Sequence, residues 1–299
     1  MNTPTHSLTA IIAGNLERPL PAAVTQLADT IRQRHGTGVA AILVYGSCLR
    51  GTPPTDSLID YYLLGDDATA ISHNPASRWL CRLVPPNVYY AEESIDGVVY
   101  RAKYAALTLS QFERKVSPRA RNPYFWARFA QPVALAHCRD EAARACVVAA
   151  LSSAVTTMLA NIAPLGQPGD NAVDLWSRGL AATYASELRS EPPGRARQVA
   201  EGNGDYYTAV TDAVLGDDWT LEQRTGTLNW AHVQRAGKLL SVVRLLKAAF
   251  TFRGGADYLA WKISRHSGQP VALSDWQRRH PILASLTLLP KLLKSGAVR

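Results

Sequence analysis

VAAILVYGSCLRGTPPTDSLIDYYLL, Val39 to Leu64, is two apolar runs separated by a loop. Val39 to Tyr45 is continuously apolar, as a strand buried on both faces requires. Gly46-Ser47 ends it. The loop from Cys48 to Ser57 contains Gly51, Pro53 and Pro54, which break regular structure. Leu58 to Leu64 is a second β-rich run, with Asp60 inside it. The stretch therefore predicts strand, turn, loop, strand, with a glycine-serine pair and an acid brought to the same end.

Elements on both sides extend this pattern. Upstream, Val24, Leu27, Ala28 and Ile31 recur at helical spacing, predicting a helix from Ala22 to Arg34 before the turn His35-Gly36-Thr37-Gly38. Downstream, Ala68 to Leu83 reads as one helix, stopped by Pro85-Pro86-Asn87. Strands are expected to start at Val88-Tyr89-Tyr90 and, after the Asp96-Gly97 turn, to run from Val98 to Ala106. A short helix over Leu109 to Lys115 and a short strand over Pro132 to Ala136 complete a mixture that predicts an α+β domain with a mixed sheet over residues 1–140. From there to residue 299 the character is helical. Glu141 to Ala160, Leu175 to Leu188, Leu228 to Phe250 and Tyr258 to Arg265 read as helices. Glu191 to Asp205, with two prolines and three glycines, reads as a loop or hinge, and Gly254-Gly255 as a break.

Apolar residues make up 47% of the chain and charged residues 19%, so a buried core is expected rather than disorder. The net charge of +8 favours partners that carry phosphate: nucleotides, nucleic acid or anionic lipid head groups. Cys48, Cys81, Cys138 and Cys146 form no C-x-x-C pair and no zinc-like cluster, which points to reduced thiols in the cytoplasm. Met1 to Ala10 lacks the pattern of a signal peptide, and no stretch reads as apolar enough to span a bilayer.

Nucleotidyl transfer needs a cradle for a triphosphate and a carboxylate for a divalent metal. Gly46-Ser47 at a strand end offers backbone N–H groups, a hydroxyl and close backbone approach. Asp60 on the neighbouring strand offers the carboxylate. This layout resembles the Gly-Ser signature of the DNA polymerase β-like nucleotidyltransferase superfamily. That superfamily carries two acids two positions apart on the second strand; here Leu58 stands at the first position, and Asp56 lies off register in the loop.

Tyr45-Gly46-Ser47 with Leu58-Ile59-Asp60-Tyr61 resembles one branch, the mitochondrial-type (translocator-maintenance) phosphatidate cytidylyltransferases. Asn87-Val88-Tyr89-Tyr90, Arg101-Ala102-Lys103-Tyr104 and Ala127-Arg128-Phe129-Ala130-Gln131-Pro132-Val133 are similar to its later segments in the same order, with Ala127 and Gln131 as departures. Lys247 to Gly255 is a looser match. The resemblance implies transfer of CMP from CTP to phosphatidic acid, with Mg²⁺, giving CDP-diacylglycerol and pyrophosphate. It also implies a nucleotidyltransferase domain followed by a mainly helical C-terminal domain, and a peripheral protein on the inner face of a membrane.

The expected site is then Tyr45, Gly46 and Ser47 around the triphosphate, Asp60 on the metal, and Lys103 and Arg128 as phosphate-binding cations, with Lys247 added by the resemblance alone. His73 is a further candidate to face the site, and Asp140, Glu92 and Glu93 are candidates for the missing carboxylate. Ile282 to Lys294, after Arg278 and Arg279, mixes apolar residues with lysines and suits an anionic membrane surface, as does the patch Trp261, Lys262 and Arg265. Two alternatives stay open: another acceptor, or a nucleotidyltransferase fold without activity that binds nucleotide or RNA. No cluster of aromatic and basic residues of the RNA-binding kind is present, so nucleic acid is not the expected partner.

Overall fold

The computed structural model describes residues 7–55, 57–188, 192–216, 219, 228–251 and 273–279. Two helices, α1 (Leu8–Leu16) and α2 (Ala22–His35), precede strand β1 (Val39–Tyr45). A single 3₁₀ turn, Gly46–Arg50, leads on to β2 (Ile59–Gly65). Then follow α3 (Ala68–Ile71), α4 (Pro75–Leu83), β3 (Asn87–Ile95), β4 (Val98–Thr108), α5 (Leu109–Val116), α6 (Pro123–Phe129) and β5 (Ala134–Cys138).

The five strands form one mixed sheet in the order β3-β4-β2-β1-β5. β2 and β4 run parallel, while the other neighbours are antiparallel. Alternation along β2 assigns the two faces. The Tyr61 hydroxyl donates to the Val24 carbonyl of α2 at 2.7 Å, on one face. The adjacent Tyr62 ring lies 4.7 Å from Phe129 of α6, on the other. β1 and β2 are buried along almost their whole length, which is why their sequence is continuously apolar rather than alternating.

Past β5, the described elements are all helical: α7 (Glu141–Ile162), α8 (Ala172–Tyr184), α9 (Arg195–Glu201), α10 (Gly204–Leu215) and α11 (Trp230–Thr251), with a last short helix at Asp275–Arg279. One apolar core runs across residue 140: Val147, Leu151 and Val155 of α7 belong to the same cluster as Leu43 of β1 and Phe112 of α5. Trp176 of α8 stacks on Tyr207 of α10 with centroids 4.3 Å apart and donates to the Thr211 hydroxyl at 2.9 Å. Contrary to the sequence expectation, Glu141–Leu165 is long and apolar enough to cross a bilayer, with a mean hydropathy of 1.8. Its apolar side chains are largely taken up by the core, since 56% of that window is buried within the protein.

Three other sequence expectations change. Ala68 to Leu83 is two helices, because Asn74 caps a new one at Pro75 by accepting from the Ala76 and Ser77 N–H groups. Helix α6 was not expected; Asn122 caps it in the same way, ahead of Pro123. The expected hinge contains α9, which begins directly after Gly194 at φ +79°. Asp56, Gly254-Gly255, Tyr258 to Arg265 and Ile282 to Lys294 lie outside the described residues.

Candidate active site

Tyr45 pairs with Asp60 across β1 and β2, Asp60 with Lys103 across β2 and β4, and Lys103 with Tyr90 across β4 and β3. Paired residues share a sheet face, so Tyr45, Asp60, Lys103 and Tyr90 make one row across four strands. Tyr45 ends β1, and the chain turns at Gly46 with φ +87°, a conformation that penalises any residue with a β-carbon. A β-carbon placed there would also stand 3.3 Å from the Asp60 Oδ2. The glycine thus lets the turn pass tightly over the carboxylate.

Tyr45, Asp60 and Lys103 of this row form the floor of a cleft of about 260 Å³. Gly46, Ser47 and Arg50 of the turn close one side, and Tyr124 and Arg128 of α6 close another. Tyr184, Glu187, Arg195 and Asn203 come from the helical half. The lining carries four cations, Arg50, Lys103, Arg128 and Arg195, against two carboxylates, Asp60 and Glu187. Such a cleft favours an anionic ligand.

Arg128 is held on three sides. It donates to the Tyr62 hydroxyl at 3.2 Å, pairs with Glu187 at 3.7 Å, and lies over the Tyr124 ring at 4.4 Å. Arg244 of α11 stacks on the same tyrosine at 3.7 Å. Burial pulls the Tyr124 hydroxyl upward, but Arg128, Arg244 and Lys103 together outweigh it and bring it below the ordinary tyrosine value. Burial and the Asp60 charge push Tyr45 well up, so its phenol stays protonated.

The cleft therefore gathers Tyr45, Gly46, Ser47, Asp60, Lys103 and Arg128 from segments far apart in the chain. Lys247 is not part of its lining. That lysine is buried and donates to the Val84 and Pro86 carbonyls at 2.6 and 2.8 Å, which ties α11 to the start of β3. The candidates for an extra carboxylate are also engaged elsewhere. Asp140 caps α7 and pairs with Arg139 at 2.8 Å. Glu92 accepts from Tyr90 at 2.9 Å, and Glu93 lies 3.8 Å from Arg34. His73 is exposed and does not line the cleft. Glu187, Arg50 and Arg195 are the residues that sequence reasoning missed.

Among the described residues, no three His, Cys, Asp or Glu side chains group closely enough to hold a metal by themselves. Of the two carboxylates Glu187 pairs with Arg128, so Asp60 is the one that could hold a Mg²⁺ ion, which is commonly bound by one or two carboxylates together with the substrate's phosphates.

No protein-family model matches the chain, and no curated protein matches it. Among solved structures it is similar to the crystal structure of a nucleotidyltransferase-like protein from Exiguobacterium sibiricum. The identity is 15%, the match covers 91% of this chain and 92% of that one, and the TM-score is 0.28. That likeness is too slight to bear on what the cleft binds.

Proposed function

We propose that the chain is a nucleotidyltransferase, and that it transfers CMP from CTP to phosphatidic acid. The observation that carries the transfer reading is the approach of Gly46 to Asp60 on the floor of a cleft rich in cations. Choosing CTP and phosphatidic acid rests on the resemblance of the Tyr-Gly-Ser turn and the Leu-Ile-Asp-Tyr strand to the phosphatidate cytidylyltransferases.

In this reading Gly46 and Ser47 receive the triphosphate through backbone N–H groups and the serine hydroxyl. Lys103 and Arg128 offset its charge; the arginine fork, already fixed by Tyr62 and Glu187, needs little reorganisation. Asp60 would hold Mg²⁺ together with the nucleotide's own phosphate oxygens, and the ion would neutralise charge on the departing pyrophosphate. A phosphate oxygen of the acceptor attacks the α-phosphorus and forms the new P–O bond. The bridge between the α- and β-phosphates breaks, and its electron pair leaves on pyrophosphate. The acceptor oxygen is already anionic, so no general base is required. The protein would work from the cytoplasmic side, at the inner face of an anionic membrane.

A second reading follows from Leu58 at the usual place of the first acid: a fold that binds nucleotide without turning it over. One experiment separates the two. Pyrophosphate release is measured with each of the four nucleoside triphosphates and Mg²⁺, with and without phosphatidic acid vesicles. Release with CTP that depends on lipid, accompanied by CDP-diacylglycerol, supports the lead reading. Release indifferent to lipid keeps the transfer and discards the acceptor. Binding without release with any nucleotide leaves the second reading.

A further inference from the structure

We propose that Arg50 and Arg195 form a second anion subsite of this cleft, and that it takes the phosphate monoester of the acceptor. This rests on the nucleotidyl-transfer reading and adds residues that the reading does not use.

The two guanidiniums enter the cleft from opposite halves of the protein. Arg50 ends the 3₁₀ turn that begins at Gly46, and Arg195 opens α9. Each is half-buried. The other two cations of the lining have acids beside them: Arg128 pairs with Glu187, and Lys103 stands next to Asp60 in register. Among the described residues, Arg50 forms no close ion pair, Asp60 reaching it only as the weakest of the charges that act on it, and the Arg195 side chain donates to the Gln198 amide oxygen at 2.7 Å. Burial comes first and the facing Arg195 second in holding Arg50 below the ordinary arginine value. Tyr207, near Arg50, is fully buried and neutral, and its hydroxyl has no hydrogen-bond partner among the described residues. Two partly desolvated like charges with no acid paired closely to either are costly unless an anion joins them. A phosphate matches two guanidinium forks, each able to bond in bidentate fashion.

The pair draws on different elements from the triphosphate cradle, though Asp60 is near enough for its charge to reach Arg50. The cradle is the Gly46-Ser47 backbone with Asp60 and Lys103 on the sheet. Arg50 lies at the far end of the turn and faces the helical half, beside Tyr184 and Arg195. In-line displacement requires the attacking oxygen and the leaving pyrophosphate on opposite sides of the α-phosphorus, so the acceptor needs cations of its own. The acceptor phosphate enters as a dianion and becomes the new bridge; no proton moves.

The test uses the full chain with CTP and Mg²⁺. Two acceptors are compared: phosphatidic acid in vesicles, and glycerol 3-phosphate in solution as the same chemistry without a lipid. Arg50→Gln and Arg195→Gln are each measured for CTP affinity without acceptor, for acceptor KM from pyrophosphate release, and for thermal unfolding. Acceptor KM should rise about tenfold or more in each variant while CTP affinity holds within about twofold. Arg50→Lys should recover part of the loss. If Arg50→Gln does not fold, the more peripheral Arg195→Gln decides alone. Weakened CTP binding with unchanged acceptor KM overturns the proposal and assigns the pair to the nucleotide. No change in either quantity overturns it outright. A wild-type chain that binds no nucleotide sinks the transfer reading, and this subsite with it. Saturation by glycerol 3-phosphate as well as by vesicles shows that the phosphate alone is recognised; response to vesicles only adds the lipid to what is recognised.

Discussion

Gly46 passes so close over Asp60 that a β-carbon there would stand 3.3 Å from the carboxylate oxygen Oδ2. The same glycine sits at φ +87°. Two independent requirements, backbone conformation and space beside the acid, converge on one residue.

Gly46→Ala should therefore cost both stability and activity. The left-handed conformation alone penalises alanine by about 1–2 kcal/mol. Denaturant unfolding should report that loss, and pyrophosphate release should fall further than stability explains, because the methyl group crowds Asp60. A variant with wild-type release would remove the turn from the site.

Asp60→Asn is nearly isosteric and should leave thermal unfolding close to wild type. Turnover with Mg²⁺ should drop by about a hundredfold or more, the scale expected when one charged group of a preorganised site is neutralised. Undiminished release from this variant would show that the acid has no part in the chemistry.

Lys247 is buried against the Val84 and Pro86 carbonyls. Burial, with Arg244 adding to it, pushes its ammonium from the ordinary 10.5 down to about 8. A lysine depressed in the folded state binds its proton more tightly when unfolded, so stability from this group rises with pH between about 8 and 10.5 and is reduced below about 8. The neutral amine keeps two N–H groups, enough for both carbonyls. Urea unfolding across that window should rise in the wild type, relative to Lys247→Met, which loses this contribution. Parallel curves for the two proteins would contradict it.

Gly237 lets α11 lie against the end of the α8 region: a β-carbon there would collide with the Ser186 carbonyl oxygen. Because the obstacle is backbone, it cannot rotate away. Gly237→Ala should destabilise by about 1–3 kcal/mol, the usual cost of overpacking, despite alanine's better helix propensity. A neutral or stabilising result in denaturant unfolding would mean that α11 does not dock as described.

The parts of the site that lie within a few residues of one another were readable in the chain. β1 matches its predicted span from Val39 to Tyr45, and β2 lies one residue from its predicted position, because a strand buried on both faces leaves a short apolar run with punctuated ends. The break in the expected Ala68 to Leu83 helix and the start of α6 also had local signals, Asn74-Pro75 and Asn122-Pro123, in which an asparagine cap precedes a proline. Glu191 to Asp205 reads as a loop or hinge, yet within it Gly194 delivers the chain into α9.

Local chemistry in the sequence thus determined the strand–turn–strand with Gly46, Ser47 and Asp60, and the mixed α+β character around it. Tertiary structure alone decided which other charges join them. The parallel register of β2 and β4 sets Lys103 beside Asp60, packing of α6 aims Arg128 at Tyr62, and docking of the helical half brings Glu187 and Arg195 across from Arg50. It also removed Lys247 from the cleft by giving its ammonium two carbonyls. The reason is physical: a cap or turn is recorded in residues a few positions apart, whereas an exposed and a cleft-lining arginine look alike in a chain until distant segments are packed together.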